Sequence, residues 1–266
     1  MRLRLGSTSY VYPADILTNV RRLAGLVHDV ELVLFEIPDM SNLPDPSTVD
    51  ALGEMGREHS LSYTVHLPLD LRLGGPKEWR AESVRKAQRV IRSVRPLAPW
   101  AYIVHLNPEG ENWSAWQEAS CCSLSELIEE VGDPARLAVE NLENCPVERL
   151  DPILEQLPVS LCLDIGHLWW AKLDPLPAFQ ARFERIRVLH LHGVADRDHR
   201  SLLYAPMASL QALLIELVSR KYEGVITLEV FSVEDFLASR ALMLSLTEAI
   251  GHEGFDHSDP GGCSKR

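Results

Sequence analysis

The chain has 266 residues, 46% of them hydrophobic and 24% charged, with a formal net charge of −12. That length accommodates one compact domain whose core is large enough to fold without a disulfide or metal staple. The acidic balance argues against a long nucleic-acid substrate, which needs a broad basic face, and no apolar stretch approaches the roughly 20 residues of a membrane-spanning helix.

Taken in chain order, eight apolar runs read as strands: Leu3–Ser9, Val30–Glu36, Ser62–Leu67, Ala101–Leu106, Arg136–Asn141, Val159–Ile165, Arg187–His192 and Val225–Val230. Each is nearly continuous in aliphatic residues, the pattern of a strand buried on both faces. Segments of helical periodicity follow them in turn: Ala14–Val27, Pro46–His59, Trp79–Val94, Ser123–Val131, Val147–Leu157, Pro177–Ile186, Met207–Lys221 and Val233–Ile250. In the first, Ile16, Leu17, Val20, Leu23, Ala24 and Val27 form one stripe. Strand then helix, eight times, predicts a parallel sheet closed into a (β/α)₈ TIM barrel over residues 1–250. Residues 251–266, with Gly254, Asp259-Pro260 and Gly261-Gly262, read as a frayed tail.

Arg85, Lys86, Arg89, Arg92 and Arg95 sit at helical spacing and read as the solvated side of a helix. Five cysteines with no Cys-x-x-Cys pair suit free thiols, and the N-terminus shows no signal-peptide pattern, so a cytoplasmic location is expected. Gly6-Ser7-Thr8-Ser9-Tyr10, after the first strand, matches no phosphate-binding loop, so nucleotide cofactors are not indicated. The oligomeric state is left open.

Ionisable residues cluster at the carboxyl ends of the runs. Run 2 ends in Glu36, run 3 in His66, run 4 in His105 and run 5 in Glu140, while run 6 ends in Asp164 with His167 three residues on. Run 7 holds His190 and His192 and leads to Asp196, Asp198 and His199, and run 8 ends in Glu229. A closed barrel brings these ends together on the face where such barrels place their active sites. Imidazoles and carboxylates so gathered are ligands for Zn²⁺, Mn²⁺ or Fe ions. A single histidine at a strand end is more often structural. Ionisable groups at seven of eight ends would be a repeated burial cost without a shared metal. His192 is the weakest member, because it lies at a different depth from His190. His28, His59, His252 and His257 read as surface residues.

These residues resemble the xylose-isomerase-like barrel superfamily, over roughly residues 3 to 250. The superfamily contains single-metal sugar isomerases and epimerases as well as endonuclease-IV-type phosphodiesterases. Glu140, Asp164-x-x-His167, His190 and Glu229 are similar to the core common to both. His66, His105 and Asp196-Arg197-Asp198-His199 are similar to the additions of the endonuclease-IV branch. The resemblance implies two or three divalent metal ions. His66, His105 and Glu140 would hold one, Glu140, Asp164, His190 and Glu229 a second, and His167, His199 and either Asp196 or Asp198 a third.

Gly6 to Leu17, Glu31 to Glu36, Tyr63 to Asp70 and His190 to Val194 are similar to the cobamide-remodelling phosphodiesterases. That resemblance implies hydrolysis of the nucleotide-loop phosphodiester of a small-molecule cobamide. Glu140 or Glu229 would position the nucleophile, and Glu36 would orient a histidine or a substrate hydroxyl. Trp79, Trp113, Trp116, Trp169 and Trp170 are expected to crowd the active face and suit a large flat ligand. The alternatives are a one-metal sugar (phosphate) isomerase or epimerase, with Glu140 and Glu229 moving protons, an abasic-site endonuclease, and a ligand-binding barrel without catalysis.

Overall fold

The computed structural model describes residues 3–37, 40–110 and 112–253. Eight parallel strands close into a barrel: β1 (Arg4–Thr8), β2 (Asp29–Val33), β3 (Ser62–His66), β4 (Tyr102–His105), β5 (Leu137–Glu140), β6 (Ser160–Asp164), β7 (Ile186–Leu191) and β8 (Val225–Leu228). Each pairs with its sequence neighbours, and β8 closes on β1 with Arg4 opposite Val225. The expected (β/α)₈ barrel is therefore the fold. Among the described residues no helix is long and apolar enough to cross a membrane.

Outward-facing strand residues meet the helices in one large apolar layer that includes Val30, Val65, Val104, Val139, Leu163, Leu189 and Ile226. The barrel interior is divided. Ile103, Ala138, Cys162 and Val188 form a small apolar cluster on the β4–β7 side. Asp29, Glu31, Thr64 and Thr227, all buried, fill the side of β2, β3 and β8. At the amino-terminal end Trp100 is held between two guanidiniums, Arg4 at 4.2 Å and Arg187 at 3.9 Å from its ring.

The helices follow local sequence logic. α1 (Ile16–Leu23) starts at Asp15, which accepts the Thr18 N–H at 2.7 Å, and buries Val20 and Leu23. It stops short of the predicted Val27 because Gly25 takes a φ of 79°. α2 (Pro46–His59) coincides with the predicted span, capped by Asp45 with Pro46 in its first turn. α3 (Lys77–Val94) is the basic helix, and its cations pair with acids: Lys86 with Asp70, Arg89 with Glu36, and Arg92 with Glu130.

α4 (Trp113–Val131) begins ten residues before the predicted Ser123, because the Asn112 side chain accepts the Ala115 N–H and opens a helix there. The segment predicted as one helix over Val147–Leu157 is a 3₁₀ turn, Val147–Arg149, followed by α5 (Asp151–Gln156). Pro152 has no N–H to continue the ladder, so the helix restarts there. α6 (Ile165–Trp170), absent from the sequence reading, follows β6 directly. α7 (Pro175–Arg182), α8 (Met207–Ser219) and α9 (Val233–Glu253) complete the layer. The tail residues 254–266, with His257, lie outside the described residues.

Candidate metal centre

Strand register sets the site. Val33 is opposite His66, His105 opposite Glu140, and Asp164 opposite His190, so ligand-type residues of neighbouring strands stand at one level. Side chains alternate along a strand, and these positions share the inward phase at its carboxyl end. Glu229 follows β8 by one residue, and its N–H bonds to the Leu191 carbonyl.

Glu140 is the hub. Its Oε2 lies 3.3 Å from His66 Nε2 and 3.1 Å from His105 Nε2, while its Oε1 lies 3.0 Å from His190 Nδ1. Donor atoms of His66, His105 and Glu140 all fall within 4.8 Å of one another, as do those of Glu140, Asp164, His190 and Glu229. The two groups share one carboxylate. His66 donates Nδ1–H to the Leu67 carbonyl at 2.9 Å, which turns Nε2 toward Glu140.

The Asp164-x-x-His167 spacing is a helix start. Asp164 caps α6, its Oδ1 accepting the His167 N–H at 2.6 Å. Asn141 braces it, the side chain bonding both the N–H and the carbonyl of Asp164. His167 directs Nδ1 at the Asn141 carbonyl at 3.0 Å, leaving Nε2 for the site. His167, His192 and His199 form a third group with donor atoms within 4.8 Å, and Glu143, His167 and Asp198 a fourth. Gly166 makes this possible, since a Cβ there would stand 2.1 Å from the His192 ring. His199 sits at a φ of 52°, a conformation uncommon for a side-chain-bearing residue and typical of functional loops.

The charges are strongly linked. Burial disfavours a charge on His66, yet Glu140 overcomes it and raises the imidazole to about 9. His199 is likewise disfavoured by burial but raised to about 10, chiefly by Glu229. Burial would push Glu140 up, but His190 and His105 hold it well below the usual carboxylate range. Glu229 is held low in the same way by His190 and His199. Glu143 is pushed up, first by its hydrogen bond with Asp198.

Two buried carboxylate oxygens, Asp164 Oδ2 and Glu229 Oε2, have no hydrogen-bond partner. Glu229 Oε2 stands 3.0 Å from His190 Nδ1 and 3.4 Å from His199 Nε2, close enough for attraction but without hydrogen-bond alignment. Buried carboxylate oxygens left unsatisfied beside the imidazoles of His66, His105 and His190 match the donor set of a divalent cation such as Zn²⁺, Mn²⁺ or Fe²⁺. A cavity of about 300 Å³ opens above them, lined by His66, His105, Glu140, His167, Asp198, His199 and Glu229, with Leu69, Leu142 and Phe231 as apolar wall.

Most of the predicted residues are thus brought together, two readings are corrected, and the choice between Asp196 and Asp198 is narrowed. Glu36 is not in the site. The Asn42 side chain bonds the Phe35 N–H and the Val33 carbonyl, turning the chain into a short hairpin (Glu36–Ile37 with Met40–Ser41), and Glu36 pairs with Arg89 at 3.0 Å. Asp196 is 72% exposed and bonds Arg200, whereas Asp198 lies 3.0 Å from His199 Nδ1, so the adjacent Asp-His pair points inward. The tryptophans do not line the cavity. Trp113 and Trp116 belong to α4, Trp116 buried with its N–H on the Asn107 carbonyl, and Trp79 lies under the Arg72 guanidinium. Trp169 is buried on Ser209, and Phe231 is the aromatic that faces the site.

His192, read as the weakest member, is fully buried 3.3 Å from Asp164, its ring stacked on His199 at 4.3 Å. His28 is half-buried and accepts the Leu5 N–H, while His59 lies at the exposed end of α2. Two carboxylates escaped the sequence reading. Glu31, two residues before the end of β2, is fully buried beside His190, and its inward phase with Val33 was the available signal. Glu143 lies in the loop after β5, where no periodicity marks it.

Comparison with known proteins agrees with this architecture. The solved structure of a D-tagatose 3-epimerase-like protein superposes with a TM-score of 0.81 at 20% identity, covering 95% of this chain and 100% of that one. Endonuclease IV from Thermus thermophilus gives 0.71 at 21% identity, covering 94% and 99%. The 3-keto-D-glucoside 4-epimerase of E. coli gives 0.71 at 14% identity, covering 93% and 100%. Likeness at these identities shows the shared fold. No curated protein sequence matches the chain. The family model of the xylose isomerase-like TIM barrel matches residues 26–249, and the chain belongs to that family.

Proposed function

We propose that this chain is a metal-dependent phosphodiesterase with two or three divalent cations, acting on a small-molecule phosphodiester. The observation that carries the reading is the position of Glu140, one oxygen turned to His66 and His105 and the other to His190. A carboxylate shared between two donor groups suits two neighbouring cations, the clamp that in-line displacement at phosphorus requires. His66, His105 and Glu140 would hold one cation, and Glu140, Asp164, His190 and Glu229 another. His167 and His199, with Asp198, would hold a third.

Bound divalent cations would neutralise phosphate charge and lower the pKa of water to about 7. The chain's own residues do the rest. Asn141 and the α6 cap hold Asp164 in place, Asp198 orients His199, and Glu143, at the cavity mouth, is placed to pass a proton to a departing oxygen. Leu69, Leu142 and Phe231 form the apolar part of the wall of a chamber about 300 Å³ in volume. That space suits a phosphate and part of one flanking group, and a larger substrate would rest the remainder on the rim.

The nucleotide loop of a cobamide is the substrate class proposed, and its support is the sequence wording around Gly6–Leu17, Tyr63–Asp70 and His190–Val194. The net charge of −12 weighs against abasic-site DNA. An epimerase reading draws on the Glu140–Asp164–His190–Glu229 group, but it gives His66, His105 and His199 no part in the chemistry. The deciding experiment counts metal in purified protein and incubates the loaded protein with an adenosylated cobamide, followed by mass analysis. Two or more equivalents and release of a nucleotide-loop fragment, lost in His105→Ala, are expected. One equivalent with no fragment, unchanged in His105→Ala, overturns the reading.

A further inference from the structure

Beneath the candidate centre, Glu31 of β2 places Oε2 2.9 Å from His190 Nε2, with both side chains fully buried. The other nitrogen of that ring, Nδ1, faces Glu140 Oε1 and Glu229 Oε2 at 3.0 Å each and Asp164 Oδ2 at 3.8 Å. The ring therefore spans two carboxylate environments, one below and one within the site. Thr227 Oγ1 reaches the same Glu31 oxygen at 3.5 Å, and Glu31 Oε1 has no hydrogen-bond partner. A carboxylate buried with one oxygen unsatisfied is costly, and packing alone does not account for it.

We propose that Glu31 is a positioning residue. It accepts the Nε2–H of His190, fixes the tautomer whose Nδ1 lone pair points into the Glu140–Asp164–Glu229 group, and so sets the metal affinity of that group alone. The inference rests on the metal-centre reading above. Metal-binding histidines characteristically give their second N–H to such a partner, and losing it weakens binding about 10- to 100-fold. The selectivity follows from the other rings, because His66 bonds the Leu67 carbonyl and His167 the Asn141 carbonyl, independently of Glu31.

The test strips wild type, Glu31→Leu and Glu31→Gln with a chelator and titrates each with Zn(II) against a chromophoric competitor. Nitrogen–proton NMR of the imidazoles in the Zn(II)-loaded proteins gives the tautomer of His190. The expected result is one class of site weakened about 10- to 100-fold in Glu31→Leu with the others unchanged. Glu31→Gln, whose amide oxygen still accepts, falls between, and the His190 Nε2–H resonance stays downfield in it but moves upfield in Glu31→Leu, where no acceptor remains. A Glu31→Leu isotherm that superimposes on wild type, beside a wild type that loads normally, sinks the inference and leaves the metal centre standing. Wild type that takes up no Zn(II) overturns both. Should Glu31→Leu not fold, Glu31→Gln decides: unchanged affinity in every class overturns the inference, and one weakened class beside unchanged others supports it.

Discussion

Asp164 accepts the His167 N–H through Oδ1 at 2.6 Å, while its Oδ2 is buried with no hydrogen-bond partner. One oxygen builds the helix start and the other would be left for a cation under the proposed function, so the two roles separate by substitution. Asp164→Asn keeps a good cap and loses the charge. Metal content and activity should fall with little change in stability. Asp164→Ala should lose both and be less stable by about 1 kcal/mol, read by urea unfolding.

Metal uptake should release protons. In the metal-free protein the imidazoles of His66 and His199 stand at about 9 and about 10, so both are protonated at neutral pH, and a ligand histidine must be neutral. Apparent affinity should therefore rise with pH, about tenfold per unit for each proton released. Both values exceed the ordinary 6.5, so these pairings stabilise the metal-free fold fully below that value and are lost as pH rises through 9 to 10. Calorimetry in buffers of different ionisation enthalpy checks the first point, and chelated against loaded unfolding curves check the second. Proton uptake on loading would contradict it.

Asp29, at the opposite end of the barrel, gives a different pH signature. Burial raises its carboxyl to about 6 against 3.8, despite the Ser62 hydrogen bond at 2.5 Å. An acid raised in the folded state favours folding below its unfolded pKa and loses that contribution as pH climbs through 6. Asp29→Asn should gain on wild type by up to about 3 kcal/mol between pH 4 and pH 7, since one unit is about 1.4 kcal/mol. A constant difference across that range would rule the linkage out.

Glu36→Ala should leave turnover and metal content as in wild type, because Glu36 pairs with Arg89 outside the site. The stability change should stay below about 1 kcal/mol, the usual range of a surface pair. A large loss of turnover would return Glu36 to the chemistry.

Gly166→Ala offers a test by sign. In an ordinary helix the change stabilises by about 1 kcal/mol. Here the added Cβ would stand 2.1 Å from the His192 ring, so a destabilisation of about 1–3 kcal/mol is expected. Weakened metal binding by the His167–His192–His199 group should accompany it.

The barrel was legible in the sequence because strands buried on both faces leave unbroken aliphatic runs, and eight helical segments separate them. Its ligand residues were legible for a related reason: an ionisable side chain at the end of such a run has no apolar role there. Glu36 and Glu31 show the limit. Both lie within run 2, and only the Asn42 side chain, which takes the Val33 carbonyl and the Phe35 N–H, determines where the strand stops. The tryptophans failed similarly, since the Asn112 cap moves Trp113 and Trp116 from the rim into a helix.

By itself, the order of residues determined the eight barrel strands, most of the helices and the chemistry available at each strand end, because hydrophobic period and local capping act over a few residues. Only barrel closure decided which carboxylates come within reach of one another and of the histidines. Glu140 reaches His66 and His190 from strands far apart in the chain, and Asp198 displaces Asp196 through the path of one loop. Those distances depend on strand register and side-chain phase across the whole ring, which no single segment encodes.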